Sequence, residues 1–133
     1  MNGIRVLIAE DDWASAEAVR IELENLGHQV VGKACTGVET VRLAALRRPD
    51  VVLIGLGVSR QDSAAETIRL IRQVLGIPVV CLEAGAPLAL SASSAPFGRI
   101  HRPFTQQALQ AAIASALAAP ATGDAPPPAA GVK

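Results

Sequence analysis

Three observations make this chain a doubly wound α/β domain. Short β-type runs alternate with helical patterns along most of its length. The four strongest runs are mostly apolar on consecutive residues, as in strands covered on both faces. The alternation also repeats without a break, an order that right-handed crossovers turn into one open parallel sheet.

The runs are IRVLIA at 4–9, QVVGKA at 29–34, DVVLIG at 50–55 and PVVCLE at 78–83, with a weaker fifth, GRIH, at 98–101. Between the first two, Ala16, Val19, Leu23 and Leu26 share one helical face, and Gly27 is placed to end the helix. Val38, Val41 and Ala45 are expected to line the second helix, which stops at Arg47-Arg48-Pro49. Ala64, Ile68, Ile71 and Leu75 line the third, closed by Gly76. The stretch 84–97, AGAPLALSASSAPF, is expected to hold a short, weakly patterned fourth helix. A fifth runs from Thr105 to Ala119, with Leu109, Ala112, Ile113 and Ala116 inward. Residues 1–119 thus make one domain. Residues 120–133, with four of the nine prolines and no apolar period, read as a disordered tail. Nothing foldable follows residue 119, so no output domain is expected.

Composition narrows the function. Twelve basic and twelve acidic residues among 133 give zero formal charge, which argues against a nucleic-acid binder or a polybasic membrane binder. No apolar run approaches the ~20 residues that cross a bilayer, and the N-terminus lacks a secretory signal. Cys35 and Cys81, far apart in the chain, read as reduced thiols of a cytoplasmic protein.

In a doubly wound sheet, ligands sit beyond the carboxyl ends of the strands, where the strand order reverses. The first run ends in Glu10-Asp11-Asp12. Three adjacent carboxylates repel one another unless a cation, hydrogen bonds or solvent relieves them. One reading is that Asp12 caps the first helix and the others are solvated. The other is a site for a hard cation such as Mg²⁺ or for phosphate chemistry.

Here the chain resembles a known family. VLIAEDD, the strand ending at 55, IPVVCLEA at 77–84 and APFGRIHRPF at 95–104 look like the receiver domain of two-component response regulators. The resemblance covers residues 4 to about 119. It implies a flavodoxin-like five-stranded sheet of order 2-1-3-4-5, with the ends of strands one and three at the switch point. It also implies roles for single positions. Glu10 and Asp11 match the two acids that position Mg²⁺, and Arg102-Pro103-Phe104 resembles the family's Lys-Pro-Phe motif.

At the other positions the chain departs from the pattern. The phosphoacceptor aspartate that should end the third strand is Gly55. The Thr or Ser of the fourth strand is Glu83, the lysine of the fifth is Arg102, and the aromatic switch residue is Arg99. A glycine has no carboxylate to attack a phosphoryl donor, so the family's covalent step cannot occur at residue 55. Glu83 would repel a phosphoryl group by about 4 kcal/mol at ~4 Å and an effective dielectric near 20. The expectation is a degenerate pseudo-receiver that works without phosphorylation at the usual position.

Its pocket would hold Glu10, Asp11 and Glu83, with Arg102 bridging Glu83 and the acids of strand one through its planar fork. Weak Mg²⁺ binding through Glu10 and Asp11 is retained; no other cofactor is expected. The expected partner is a histidine kinase, a phosphotransfer protein, another regulator or a second copy of the chain. The expected docking face combines predicted helices four and five with strand five, and neither nucleic acid nor membrane is a partner.

Two rival readings remain. One is an active regulator phosphorylated at a non-standard acid, Asp50 or Asp62, although Asp50 starts its strand and Asp62 belongs to a loop. The other is a small Mg²⁺-dependent phosphohydrolase, for which no nucleophile is evident. Trp13 reads as a surface residue, His28 as a polar strand-entry residue and His101 as pointing away from the site. Gly55-Leu56-Gly57 lacks the third glycine of a phosphate-cradling loop, having Arg60 instead.

Overall fold

Consecutive apolar residues in an extended chain send their side chains to opposite faces in turn, and here both faces are covered. The computed structural model describes residues 3–55, 64–83, 98–101 and 104–118. Strands β1 (Arg5–Ala9), β2 (Gln29–Ala34), β3 (Val51–Gly55), β4 (Val79–Glu83) and β5 (Gly98–His101) form a parallel sheet in the order β2-β1-β3-β4-β5. The order reverses between β1 and β3, whose register pairs Val6 with Val51 and Ala9 with Ile54.

Alternation divides each strand between two cores. Val6, Ile8, Val51, Leu53, Val80 and Leu82 pack under α1 (Trp13–Asn25) and α4 (Gln106–Ala118), against Leu23, Leu109 and Ile113. Leu7, Ala9, Val52, Ile54, Val79 and Cys81 pack under α2 (Gly37–Arg47) and α3 (Ala64–Arg69), against Leu43, Ile68 and Ile71. Each fully buried aliphatic side chain contributes about 1.5–3 kcal/mol, so the sheet is held from both sides by its own residues.

Local chemistry sets the helix ends. Asp12 caps α1, its carboxylate accepting from the Ser15 N–H at 3.3 Å and the Ser15 hydroxyl at 2.6 Å. Gly27, at φ 92°, closes the helix: the His28 N–H reaches back to Leu23 O at 3.0 Å. Thr36 and Glu39 form a reciprocal cap on α2, with Glu39 N donating to Thr36 Oγ1 (3.1 Å) and Cys35 N to Glu39 Oε1 (3.0 Å). Thr105 caps α4 through the Ala108 N–H at 3.0 Å.

Two helices differ from expectation. The inward face of α2 is Thr40, Leu43 and Ala44, while Val38 is 72% exposed and Ala45 is exposed. Thr40 can be buried because its hydroxyl donates to Thr36 O at 2.6 Å. The third helix continues from α3 into a π-helical turn, Leu70–Val74, in which the Leu75 N–H reaches Leu70 O at 3.2 Å. Ile68 and Ile71 are buried as expected, and Arg72 is buried with them.

His28 is also more than a strand-entry residue. It is 5% exposed; its Nδ1 accepts from the Ile4 N–H at 3.2 Å and its Nε2 lies 2.8 Å from Gln110 Oε1. An Nδ1 that accepts leaves the ring proton on Nε2 to donate to Gln110, so one neutral imidazole ties β1, β2 and α4 together.

The pairing of β1 with β2 skips Val31: Val6 faces Val30 and Leu7 faces Gly32. The Arg47 side chain donates to the Val31 carbonyl at this irregularity. Among the described residues no helix is long and apolar enough to cross a membrane. The predicted fourth helix at 84–97 and the tail at 120–133 lie outside the described residues.

Candidate functional site

The site follows from one step of register. Since Ala9 pairs with Ile54, Glu10 comes level with Gly55, and alternation puts both on the face of Ile8 and Leu53. Glu10 extends the strand by one residue, its N–H donating to Ala34 O at 2.9 Å. Its side chain then turns across β3. A Cβ built on Gly55 would meet Glu10 Oε1 at 2.1 Å, Cδ at 2.8 Å and Oε2 at 3.2 Å. The Glu10 carboxylate therefore fills the volume in which a residue-55 side chain would begin. It is 6% exposed, and its Oε2 accepts from the Asp12 N–H at 3.3 Å.

The three acids thus separate. Glu10 is buried over Gly55, Asp11 is exposed, and Asp12 is the exposed helix cap. Mg²⁺ demands a near-octahedral oxygen shell. With Glu10 turned inward and no side-chain oxygen at 55, the residues of this edge do not fit such a shell. Among the described residues no group of three or more His, Cys, Asp and Glu could hold a metal ion.

Of the other sequence-singled residues, Glu83 ends β4, and β3 lies between it and β1. Two strand spacings of about 4.8 Å put the backbone ends of β1 and β4 roughly 10 Å apart. Arg99 lies on β5, paired with Cys81. The side chains of Glu83, Arg99 and His101, and all of Arg102 and Asp62, lie outside the described residues. The proposed Arg102 bridge and Asp62 as an acceptor therefore fall there. Asp50 precedes β3 at the far edge of the sheet, where its carboxylate accepts from the Arg5 N–H and its N–H donates to Arg5 O, both at 2.8 Å. It is a strand staple, remote from Glu10.

A feature missed in the sequence flanks the acids. Lys33 Nζ sits 5.3 Å from the centroid of the Trp13 ring and 2.9 Å from Glu17 Oε1. Glu17 also pairs with Arg20, which reaches Glu24 at 2.7 Å. The Arg20 guanidinium first, and then Lys33, hold the Glu17 carboxyl down to about 2. Trp13 is 71% exposed, so the ridge is a polar ladder beneath an open indole. The i,i+3 and i,i+4 spacing of Glu17, Arg20 and Glu24 was readable as a helix-surface network; the reach to Lys33 depends on how α1 crosses β2. Cys35 is exposed and Cys81 buried.

No protein-family model matches the chain. Over 89 residues it is 32% identical to the virulence-factor transcription regulator BvgA of Bordetella pertussis, a match covering 66% of this chain and 42% of that protein. Over 114 residues it is 28% identical to the phyllosphere-induced regulator PhyR of Methylorubrum extorquens, covering 84% and 43%. The chain thus spans less than half the length of these relatives. Among solved structures, the signal receiver domain of a modulated diguanylate cyclase from Desulfovibrio desulfuricans superposes with a TM-score of 0.79. The identity is 28%, covering 87% of this chain and 94% of that one. In fold and sequence this chain is a response regulator receiver domain, the module of two-component signalling.

Proposed function

We propose that this domain signals by protein–protein interaction alone, as a receiver without phosphorylation at the usual position. The observation that carries the reading is the end of β3. Gly55 offers no acceptor oxygen, and the Glu10 carboxylate occupies the space where an acceptor side chain would start. Acyl phosphate formation needs a carboxylate open to in-line attack, and Glu10 is 6% exposed. The domain is a binding module rather than an enzyme. Asp11 and Glu10 give Mg²⁺ at most a weak hold.

The partner is a protein of the same signalling system: a histidine kinase, a phosphotransfer protein, another regulator or a second copy of this chain. It docks on the face of β5 and α4. The expected Arg102 bridge to Glu83 and the acids of strand one, proposed to hold that face in one state, lies outside the described residues. Incubation with acetyl phosphate and Mg²⁺, followed by intact-mass measurement, tests the reading: the mass stays unchanged, and a phosphoryl adduct overturns it. Arg102→Ala lowers both partner affinity and melting temperature; loss of neither refutes the bridge.

A further inference from the structure

We infer that the outward face of α2, with the adjoining end of the third helix, is a second docking surface, built for an acidic amphipathic helix of a partner protein. It lies on the other side of the sheet from α4, and it stands whether or not the domain accepts a phosphoryl group. Apolar residues on α2 are not confined to its buried side. Val38, Arg42 and Leu46 follow at i, i+4 and i+8 on the face opposite buried Thr40 and Ala44. All three are exposed, Val38 by 72% and Leu46 by 67%, and exposed Ala45 lies beside them. Val74, 66% exposed, ends the neighbouring π turn. Arg48 joins the two helices, its Nη2 donating to Leu75 O at 3.3 Å.

Charge decides what covers this surface. Among the described residues, Arg20, Lys33 and Arg69 each pair with a glutamate, whereas Arg5, Arg42, Arg47 and Arg48 form no ion pair. Backbone carbonyls steer three of these four. Arg5 Nη1 donates to Arg48 O at 2.8 Å, Arg47 to Val31 O and Arg48 to Leu75 O. Such a bond orients a guanidinium without neutralising it and leaves further donors free. The nearest acids in sequence are committed elsewhere, Asp50 to the Arg5 N–H at 2.8 Å and Glu39 to the Cys35 N–H at 3.0 Å. Arg48 even takes φ 47°, so the chain places a cation where the backbone favours glycine. Arginines at the end of α2 also suit the helix dipole, but that gives no reason for Leu46 and Val74 to be exposed among them. A second copy is a poor occupant. Arg42 sits midway along the stripe, so two α2 helices laid together in either sense set like charges face to face. A lipid surface asks for a broad apolar face, and α2 has spent its broad face on the core. From Val38 to Leu46 the stripe is about 12 Å long at 1.5 Å per residue, which suits two turns of a helix carrying apolar residues flanked by carboxylates.

The probe is a fluorescein-labelled helical peptide of about 15 residues, with leucines along one face and glutamates flanking them, beside a twin in which lysines replace the glutamates. Each is titrated with the full chain and followed by fluorescence anisotropy. The native chain is expected to bind the glutamate peptide about tenfold more tightly than the twin. Arg42→Glu is expected to lose about tenfold on the glutamate peptide and to gain on the twin. Leu46→Ala loses several-fold on the glutamate peptide at low and high salt alike, whereas the charge preference shrinks as salt rises. Circular dichroism checks the fold of each variant, and Arg42→Gln takes the place of Arg42→Glu if that chain does not fold. Equal affinity for the two peptides, or unchanged affinity in the Arg42 variant, overturns the inference. So does tighter binding of the native chain to phosphatidylserine vesicles or to duplex DNA than to the glutamate peptide. A dimer in sedimentation that Arg42→Glu abolishes overturns it too, by making the occupant a second copy.

Discussion

Removing the imidazole of His28 should destabilise this domain by about 3–4 kcal/mol. The ring is 5% exposed and makes two hydrogen bonds, from Ile4 N at 3.2 Å and to Gln110 Oε1 at 2.8 Å. His28→Ala strands the Ile4 N–H, at about 1–2 kcal/mol for a part-buried donor, and forfeits the Gln110 bond, at about 1 kcal/mol. The lost packing of the ring adds about 1 kcal/mol, so the sum is about 3–4 kcal/mol against the roughly 5–15 kcal/mol of a typical domain. His28→Asn keeps an acceptor near the Nδ1 position and should lose about half as much. Urea unfolding followed by far-ultraviolet circular dichroism measures both, because Trp13 is too exposed to report on the core. The midpoint should fall with an unchanged slope. A loss under about 1 kcal/mol for alanine, or an asparagine variant no better than alanine, refutes the three-element tie.

Further expectations rest on separate features. The Glu17 carboxyl is held near 2, below its ordinary 4.5, so its pairing stabilises the fold above about pH 4.5 and is lost as pH falls toward 2. The stability difference between the native chain and Glu17→Gln should therefore be larger at about pH 6 than at about pH 3. It should also be small, and smaller still in high salt, since the pairs are exposed. Thr36→Ala removes the reciprocal cap of α2 and should cost about 1 kcal/mol in the same urea assay. Asp50→Ala frees the Arg5 N–H bonded at 2.8 Å and should cost about 1–2 kcal/mol without altering Mg²⁺ or phosphoryl-donor behaviour; altered donor behaviour would reinstate Asp50 as a functional acid. In the native chain an alkylating reagent should label Cys35 and spare Cys81 until denaturant is added.

The fold was legible because the central strands advertise their two-sided burial: Val51 through Ile54 are apolar without interruption, and all four are buried, whereas edge strand β2 is mostly half-buried. The helix stops were legible at Gly27 and Gly76, which both take positive φ. The inward face of α2 was not. Hydropathy ranks Val38 above Thr40, but Thr40 buries because Thr36 O takes its hydroxyl, whereas Val38 sits in the first turn facing water. The π turn at Leu70–Val74 has no compositional signature, since it differs from an α-helix only in which carbonyl each amide reaches. At the site, the absence at Gly55 could be read residue by residue. The inward turn of Glu10 could not, because it is a property of two residues 45 apart in sequence and one strand apart in space.

That pairing bears on how the end of a central strand can carry a glycine and keep its shape. Within a strand a glycine weakens the structure, by about 0.5–1 kcal/mol against alanine, and leaves a void where a side chain would pack. At Gly55 the void is filled by a carboxylate that arrives from the neighbouring strand and brings an Asp12 amide as its partner. The other residues of β3, Val51 to Ile54, face the two cores and are untouched by what happens at its end. A glycine at the end of β3 therefore costs packing almost nothing, and the helix faces built on those cores persist. Reversal is not equally simple. An aspartate placed at 55 must first expel Glu10, and the expelled carboxylate would then stand beside Asp11 and the new acid, raising the like-charge repulsion that a cation would have to relieve.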